Sequence, residues 1–303
     1  REDLPAEQRR DASFELAQDF FKAGLLDHAE QVLAKMAEVD SSPEVHRHLL
    51  DIYIQEKDWD KAIGAAKKLE VSAKRNYQKE IANYYCELAI TDHVHGRATQ
   101  AIAHLDQALE SNRKCVRANL LRGEWLANEG KHEAAIDAWK AIEAQDPAYF
   151  GLAAEGMVES YKVLGQLGEG LQLLRGLQYR YPALDLLNVV YQATAEHEGD
   201  DAAWRLVRDE VRRNPTLVGL DRLIDAELVR APPERRQDLQ LMKNLVHSHA
   251  QALAVYLCDN CGFKARQFFW QCPACASWET FAPRRTAELE SSGKHLARMQ
   301  IGQ

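Results

Sequence analysis

Along the first 215 residues the apolar positions fall in short runs at helical spacing, and the runs return at near-constant intervals. Leu16, Ala17 and Phe20 lead the first unit, and Leu49, Leu50 and Tyr53 lead the second. Residues three and four apart share one helix face, so each run predicts an amphipathic helix with one buried stripe. A second helical run follows each, and a small residue recurs within it at Ala29, Ala62, Ala101, Ala135, Gly170 and Ala203. The intervals are 33, 39, 34, 35 and 33 residues. Turn signals such as Gly24, Gly96, Gly130 and Gly199 stand ahead of these positions, and Pro147, Pro182 and Pro215 each lie twelve residues beyond one. Proline cannot continue a helix, so it marks where the second helix of a pair must end.

Helix pairs returning about every 34 residues are the signature of tetratricopeptide repeats, and six units in register speak against a generic helical bundle. Gly123, twelve residues before Ala135, falls where the two helices of its unit must approach closely. The long second interval is expected to lengthen a loop or helix within 71–83. After Pro215 the period weakens: 217–229 reads as a helix, Ala231-Pro232-Pro233 as a break, and 234–253 as a longer helix. This pair is expected to close the apolar end of the array.

The pattern then changes character. Cys258-Asp-Asn-Cys261-Gly-Phe and Cys272-Pro-Ala-Cys275 form two Cys-x-x-Cys pairs separated by ten residues. Each pair can wrap a tight turn around one ion, and two such knuckles complete a tetrahedral all-thiolate site for zinc or a single iron. Gly262 can take the left-handed angle that such a turn needs. The alternatives are four unrelated thiols or two disulfides. Cys86 and Cys115 are isolated in helical patterns and read as small core residues. The module carries Phe263, Phe268, Phe269, Trp270, Trp278 and Phe281, more aromatic surface than about thirty residues can hide alone. We therefore expect Phe268, Phe269, Trp270 or Trp278 to pack on the C-terminal helices.

The predicted architecture is all-α: a tetratricopeptide-repeat superhelical solenoid with a small C-terminal four-cysteine metal module. The array spans 1–215, the closing helices 216–254, the metal module 255–283 and a polar tail 284–303. A composition of 46% hydrophobic and 28% charged residues is that of a folded protein. The net charge of -8 argues against nonspecific nucleic-acid binding, which needs a basic surface. No run of about 18 apolar residues spans a membrane. The chain opens on Arg1 rather than Met, which leads us to expect a fragment of a longer protein. Thiols held on a metal point to a reducing compartment.

Enzymatic signatures are missing: there is no phosphate-cradling glycine loop, no Gly-x-Ser-x-Gly elbow and no His-Glu-x-x-His. The pairs His93/His95 and His247/His249 lack a nucleophile or acidic partner in the pattern and read as surface or packing residues. Repeat arrays instead present extended binding faces lined by their first helices. Counting back from each small residue places Arg47, Asp51, Asn83, His93, Arg117, Glu124, Asn128, Glu155 and Asn188 on that face. They are the candidate partner-binding residues.

Taken together, the Cys258–Cys261 knuckle with its Gly-Phe, the segment Phe269-Trp270-Gln-Cys272-Pro-Ala-Cys275, Trp278, and Tyr84-Tyr-Cys-Glu-Leu-Ala89 within the array resemble the lipopolysaccharide assembly protein B family. The resemblance covers the whole chain and implies a rubredoxin-like zinc-ribbon as its C-terminal module, from whose strict form Ala276 departs, standing where a glycine often follows the last cysteine. It implies a non-enzymatic adaptor at the cytoplasmic face of the bacterial inner membrane. Its implied partners are an FtsH-type membrane protease, the deacetylase of the lipid A pathway that is presented for degradation, and an inner-membrane signalling protein. Family members carry an N-terminal membrane helix and further repeats, so the resemblance implies membrane attachment through a helix outside this sequence. The alternatives are an electron carrier whose thiolate-bound iron cycles while the repeats dock partner enzymes, and a general peptide-binding co-chaperone scaffold with a zinc staple.

Overall fold

The computed structural model describes residues 5–39, 42–253 and 255–281. The expected polar tail 284–303 lies outside the described residues. The chain forms two compact units, Arg1–Ala118 and Asn119–Gln303.

The first unit is built from antiparallel helix pairs: α1 (Ala6–Lys22) with α2 (Leu26–Ala37), α3 (Pro43–Glu56) with α4 (Trp59–Ala73), and α5 (Gln78–Val94) with α6 (Ala98–Ser111). Gly24 and Gly96 turn the chain at φ 74° after α1 and α5, a conformation that glycine adopts without a Cβ penalty. Asp58 caps α4 by accepting from the Lys61 amide at 3.2 Å. The small residues Ala29, Ala62 and Ala101 are fully buried, as are Leu33, Ile52, Leu69 and Leu105. Trp59 stacks on Tyr84 across the core with centroids 5.6 Å apart. The long interval is absorbed by α4 running on to Ala73, a connection over 74–77, and the 17 residues of α5.

The second unit contains most of α7 (Val116–Asn128), then α8 (His132–Lys140), α9 (Ile142–Gln145), a 3-10 turn at Pro147–Tyr149, α10 (Phe150–Val163), α11 (Leu167–Arg180), α12 (Leu184–Glu198) and α13 (Asp200–Arg213). A Cβ on Gly123 would lie 2.3 Å from Trp139 Nε1, and one on Gly170 would lie 2.5 Å from Tyr161 Cδ2. Both distances are far inside contact, so the helices close only because these positions are glycine. Pro182 and Pro215 fall in the connections after α11 and α13.

α14 (Leu217–Arg230) and α15 (Pro233–Leu253) follow where the pattern predicts helices. Lys243 Nζ joins them through Asp225 at 2.6 Å and Asp221 at 2.9 Å, while His247 Nδ1 meets Asp221 at 2.9 Å. On α15, Leu241, Met242 and Leu245 remain exposed. Two short antiparallel strands, β1 (Tyr256–Leu257) and β2 (Lys264–Ala265), open the terminal module in the register Tyr256↔Ala265 and Leu257↔Lys264.

Candidate metal centre and partner surface

The two cysteine pairs form matching turns. In the first, the Gly262 amide donates to the Cys258 carbonyl at 2.9 Å, and the Cys258 amide donates to the Phe263 carbonyl at 2.9 Å. In the second, Ala276 donates to Cys272 and Cys272 to Ser277, each at 2.9 Å. Both turns require a residue in the left-handed region: Gly262 at φ 75° and Ala276 at φ 55°. For Ala276 this costs about 1 kcal/mol, which a glycine there would not incur. The isolated bridge Gln271↔Trp278 closes the second turn, and Cys258↔Phe281 ties the first turn to the segment that follows the second.

All four sulfurs lie within 4.8 Å of one another. Cys258 Sγ is 3.8 Å from Cys275 Sγ, and Cys261 Sγ is 3.7 Å from Cys272 Sγ. A tetrahedral zinc with bonds of about 2.3 Å sets its sulfurs about 3.8 Å apart, so the donor set fits such an ion in number, type and spacing. The surroundings favour thiolates at two positions. The Asn260 side-chain amide, 3.4 Å from Cys275 Sγ, lowers that thiol to about 6, with help from the Ser277 hydroxyl and amide. Burial raises Cys258, but Thr280 and the amides of Cys261 and Asn260 outweigh it and the net shift is downward. Four protein thiolates would leave a zinc ion no open position for water or substrate, which is the arrangement of a structural site.

The module is docked on the second unit through aromatic contacts. Tyr149, at the end of the 3-10 turn, stacks on Trp270 with centroids 5.4 Å apart and planes 5° apart. It also meets Phe268 edge-on at 6.0 Å. Tyr256 packs edge-on against Phe268 at 5.9 Å, and its hydroxyl donates to Asp185 at the start of α12. Phe269 and Phe263 pack against Phe281, with Phe263 still exposed on its outer side. The sequence predicts packing of these aromatics on the last helix pair; Phe268 and Trp270 instead meet Tyr149 at the entry to α10, and Tyr256 ties the module to α12. Neither Tyr149 nor Asp185 carries a sequence signal beyond its place just after Pro147 or Pro182.

The nine candidate partner residues separate by environment. Arg47 and Asp51 are exposed on α3, and His93 is half-buried near the end of α5. Crowding around Asp51 pushes its carboxyl above the usual range, against the pull of His48 and Arg47. Glu124 and Asn128 are exposed on α7, and Glu155 on α10. Asn188 is half-buried on α12 and accepts from Arg222 Nε at 2.9 Å. Two depart from the expected solvent-facing position. Asn83 is fully buried and donates to the Lys79 carbonyl of its own helix at 3.0 Å. Arg117, with its side chain 8% exposed, pairs with Glu87 at 2.6 Å. Arg117 Nη1 also donates to Asn83 Oδ1 at 3.5 Å, so the two are joined to each other.

The rubredoxin metal binding domain family matches residues 256–283, and the tetratricopeptide repeat family matches residues 88–150. Lipopolysaccharide assembly protein B of Escherichia coli strain K12 is 27% identical over 284 residues, covering 93% of this chain and 73% of that protein. Its namesake in Haemophilus influenzae is 27% identical over 281 residues, covering 91% of this chain and 70% of that protein. The chain resembles the lipopolysaccharide assembly protein B family in both of its parts and in their order. Among solved structures, the C-terminal part of a tetratricopeptide-repeat protein from Cytophaga hutchinsonii is 14% identical with a TM-score of 0.43, covering 79% of this chain and 95% of that one. MamA protein is 19% identical with a TM-score of 0.37, covering 62% and 95%. The fold is a tetratricopeptide-repeat array with a C-terminal four-cysteine, metal-binding ribbon. Among the described residues, no helix is long and apolar enough to cross a membrane.

Proposed function

We propose that the protein is a non-enzymatic adaptor in the control of lipopolysaccharide biosynthesis. In this reading it brings the deacetylase of the lipid A pathway to an FtsH-type inner-membrane protease at the cytoplasmic face of the membrane, under restraint from an inner-membrane signalling protein. The observation that carries the reading is the alignment over 93% of the chain with lipopolysaccharide assembly protein B, repeats and ribbon included. The physics of an adaptor suits the fold. Helix pairs offer extended faces without needing a catalytic constellation, and holding two proteins together raises their effective concentration with no new chemistry.

The ribbon, in the same reading, holds zinc and serves as a structural clamp. Arg47, Asp51 and His93 form the candidate surface of the first unit, and Glu124, Asn128, Glu155 and Asn188 that of the second. The test is affinity recovery from cells with the intact protein and its native N-terminus. Co-recovery of both the membrane protease and the deacetylase is the expected result. Arg47→Glu should lower that recovery while shifting stability by less than ~0.5 kcal/mol, the usual range for an exposed substitution. Recovery of neither enzyme, or of redox partners in their place, overturns the adaptor.

A further inference from the structure

The four sulfurs of the metal centre differ in how they meet solvent and hydrogen-bond donors. Cys258 and Cys272 are buried and Cys275 is half-buried, whereas Cys261 is exposed. Cys258 Sγ has the Thr280 hydroxyl at 3.3 Å and also faces the amides of Cys261 and Asn260. Cys275 Sγ has the Asn260 side-chain amide at 3.4 Å, together with the Ser277 hydroxyl and amide. Cys272 faces the amides of Cys275 and Ala274. The donor facing Cys261 is the Phe263 amide, and among the described residues no hydroxyl or carboxamide reaches its sulfur.

With an ion bound all four are thiolates, so access and hydrogen bonding decide which of them reacts. A donor draws charge from the sulfur it meets and lowers its nucleophilicity. Cys261 is the exposed member of the four and the one least covered by donors. Cys272 Sγ stands 3.7 Å from it, across the two knuckles. An accessible thiolate beside a second thiol is the arrangement of a peroxide-sensitive cysteine with its resolving partner. Cys86 and Cys115 make the contrasting case: their sulfurs are 3.8 Å apart, but both residues are fully buried.

We propose that Cys261 is the sulfur through which hydrogen peroxide reversibly opens the zinc-loaded ribbon, with Cys272 as the resolving thiol. The Cys261 thiolate attacks one peroxide oxygen: an S–O bond forms, the O–O bond breaks and hydroxide leaves. The Cys272 thiolate then attacks the Cys261 sulfur, the S–O bond breaks, a second hydroxide leaves and a disulfide remains. The two sulfurs have given up two electrons and the peroxide has taken them. The disulfide removes two of the four ligands, which releases the ion and takes away the fold that presents Trp270 to Tyr149.

This rests on the reading of the ribbon as a zinc clamp, and the test separates the two. The full chain is assayed for zinc and then titrated with hydrogen peroxide. A chromogenic chelator reads zinc release, and peptide mass spectrometry reads the disulfides. The expected first bond is Cys261–Cys272, formed in step with zinc release and reversed by dithiothreitol with added zinc. A chain that holds no zinc overturns both readings. A zinc-loaded chain whose first disulfide omits Cys261, or pairs it with Cys258, overturns only this one, as does zinc loss that dithiothreitol cannot reverse. Iodoacetamide should alkylate Cys261 of the loaded chain about fivefold faster than Cys275, and leave Cys86 and Cys115 untouched. Asn260→Ala keeps all four sulfurs and removes a donor from Cys275, so alkylation of Cys275 should rise relative to Cys261. Equal labelling of the four cysteines, or a ratio that Asn260→Ala leaves unmoved, overturns the proposal.

Discussion

Replacing Cys272 and Cys275 by Ser tests whether the ribbon is part of the second unit or a bead attached to it. Structural zinc supplies on the order of 10 kcal/mol to the folding of a small module, so this change, or chelation, should unfold 256–281. The docking contacts then disappear with it. Tyr149 loses its stacked partner Trp270 and its edge-on partner Phe268, two aromatic pairs worth about 0.5–1.5 kcal/mol each. Asp185 loses the Tyr256 hydroxyl, a hydrogen bond to a charged group worth about 1.5–3 kcal/mol. These contributions share neighbours and do not add fully, which leaves about 3 kcal/mol as a working figure. That is roughly a hundredfold in a local opening equilibrium. Hydrogen exchange on the full chain reads it directly. The second-turn amides of α10 and α12 should lose about two orders of magnitude in protection. α14 and α15 should change less, since Lys243 and His247 tie them to each other. Unchanged protection in α10 and α12 with the ribbon unfolded would refute the docking argument, and selective loss in α15 would restore the packing read from the sequence.

Three further outcomes follow from single positions. Arg117→Met strands the Glu87 carboxylate, itself a quarter exposed, and should cost about 3 kcal/mol in urea unfolding, the low end for breaking a buried pair; Glu87→Leu added to it should recover much of the loss, and a cost below about 1 kcal/mol would mean that the pair is not buried in solution. Gly123→Ala puts a methyl group into the Trp139 indole and should destabilise the second unit by about 1–3 kcal/mol, with altered tryptophan fluorescence; a neutral result would show that the helices can separate freely. Ala276→Gly relieves the left-handed strain of the second knuckle and should tighten metal binding about fivefold in chelator competition, whereas weaker binding would contradict the strain assigned to φ 55°.

The helix pairs were legible because one physical demand repeats. Where two helices cross closely a side chain must be small, and Ala29, Ala62, Ala101, Ala135 and Ala203 are each fully buried at the spacing that the period sets. The cysteine knuckles were legible for a related reason: ligand type and local spacing confine each pair to one turn. What a repeat does not encode is whether a polar residue at a given register meets solvent or a neighbour. Arg117 occupies a face position, yet Glu87, thirty residues earlier, draws it inward, and Asn83 turns its amide onto its own helix. The docking partner of the ribbon was hidden in the same way. An excess of aromatic side chains shows that a module must pack on something, but choosing Tyr149 depends on a contact between segments more than a hundred residues apart.

That long-range contact also constrains how the proposed adaptor could be regulated. Asn188 lies one helical turn beyond Asp185 on α12, and Glu155 lies in the second turn of α10, just past Tyr149. Whatever orders the ribbon therefore also orders the helix entries that carry the candidate partner residues of the second unit. By linkage, a partner that requires those entries in place would bind more weakly once the metal is lost, by no more than the docking free energy itself, roughly a hundredfold. A partner held only by Arg47, Asp51 and His93 of the first unit would not share that dependence, because neither the metal centre nor its docking residues belong to that unit. Metal removal thus sorts partners by surface. A partner lost on chelation and one retained would mark the two units as separate binding elements.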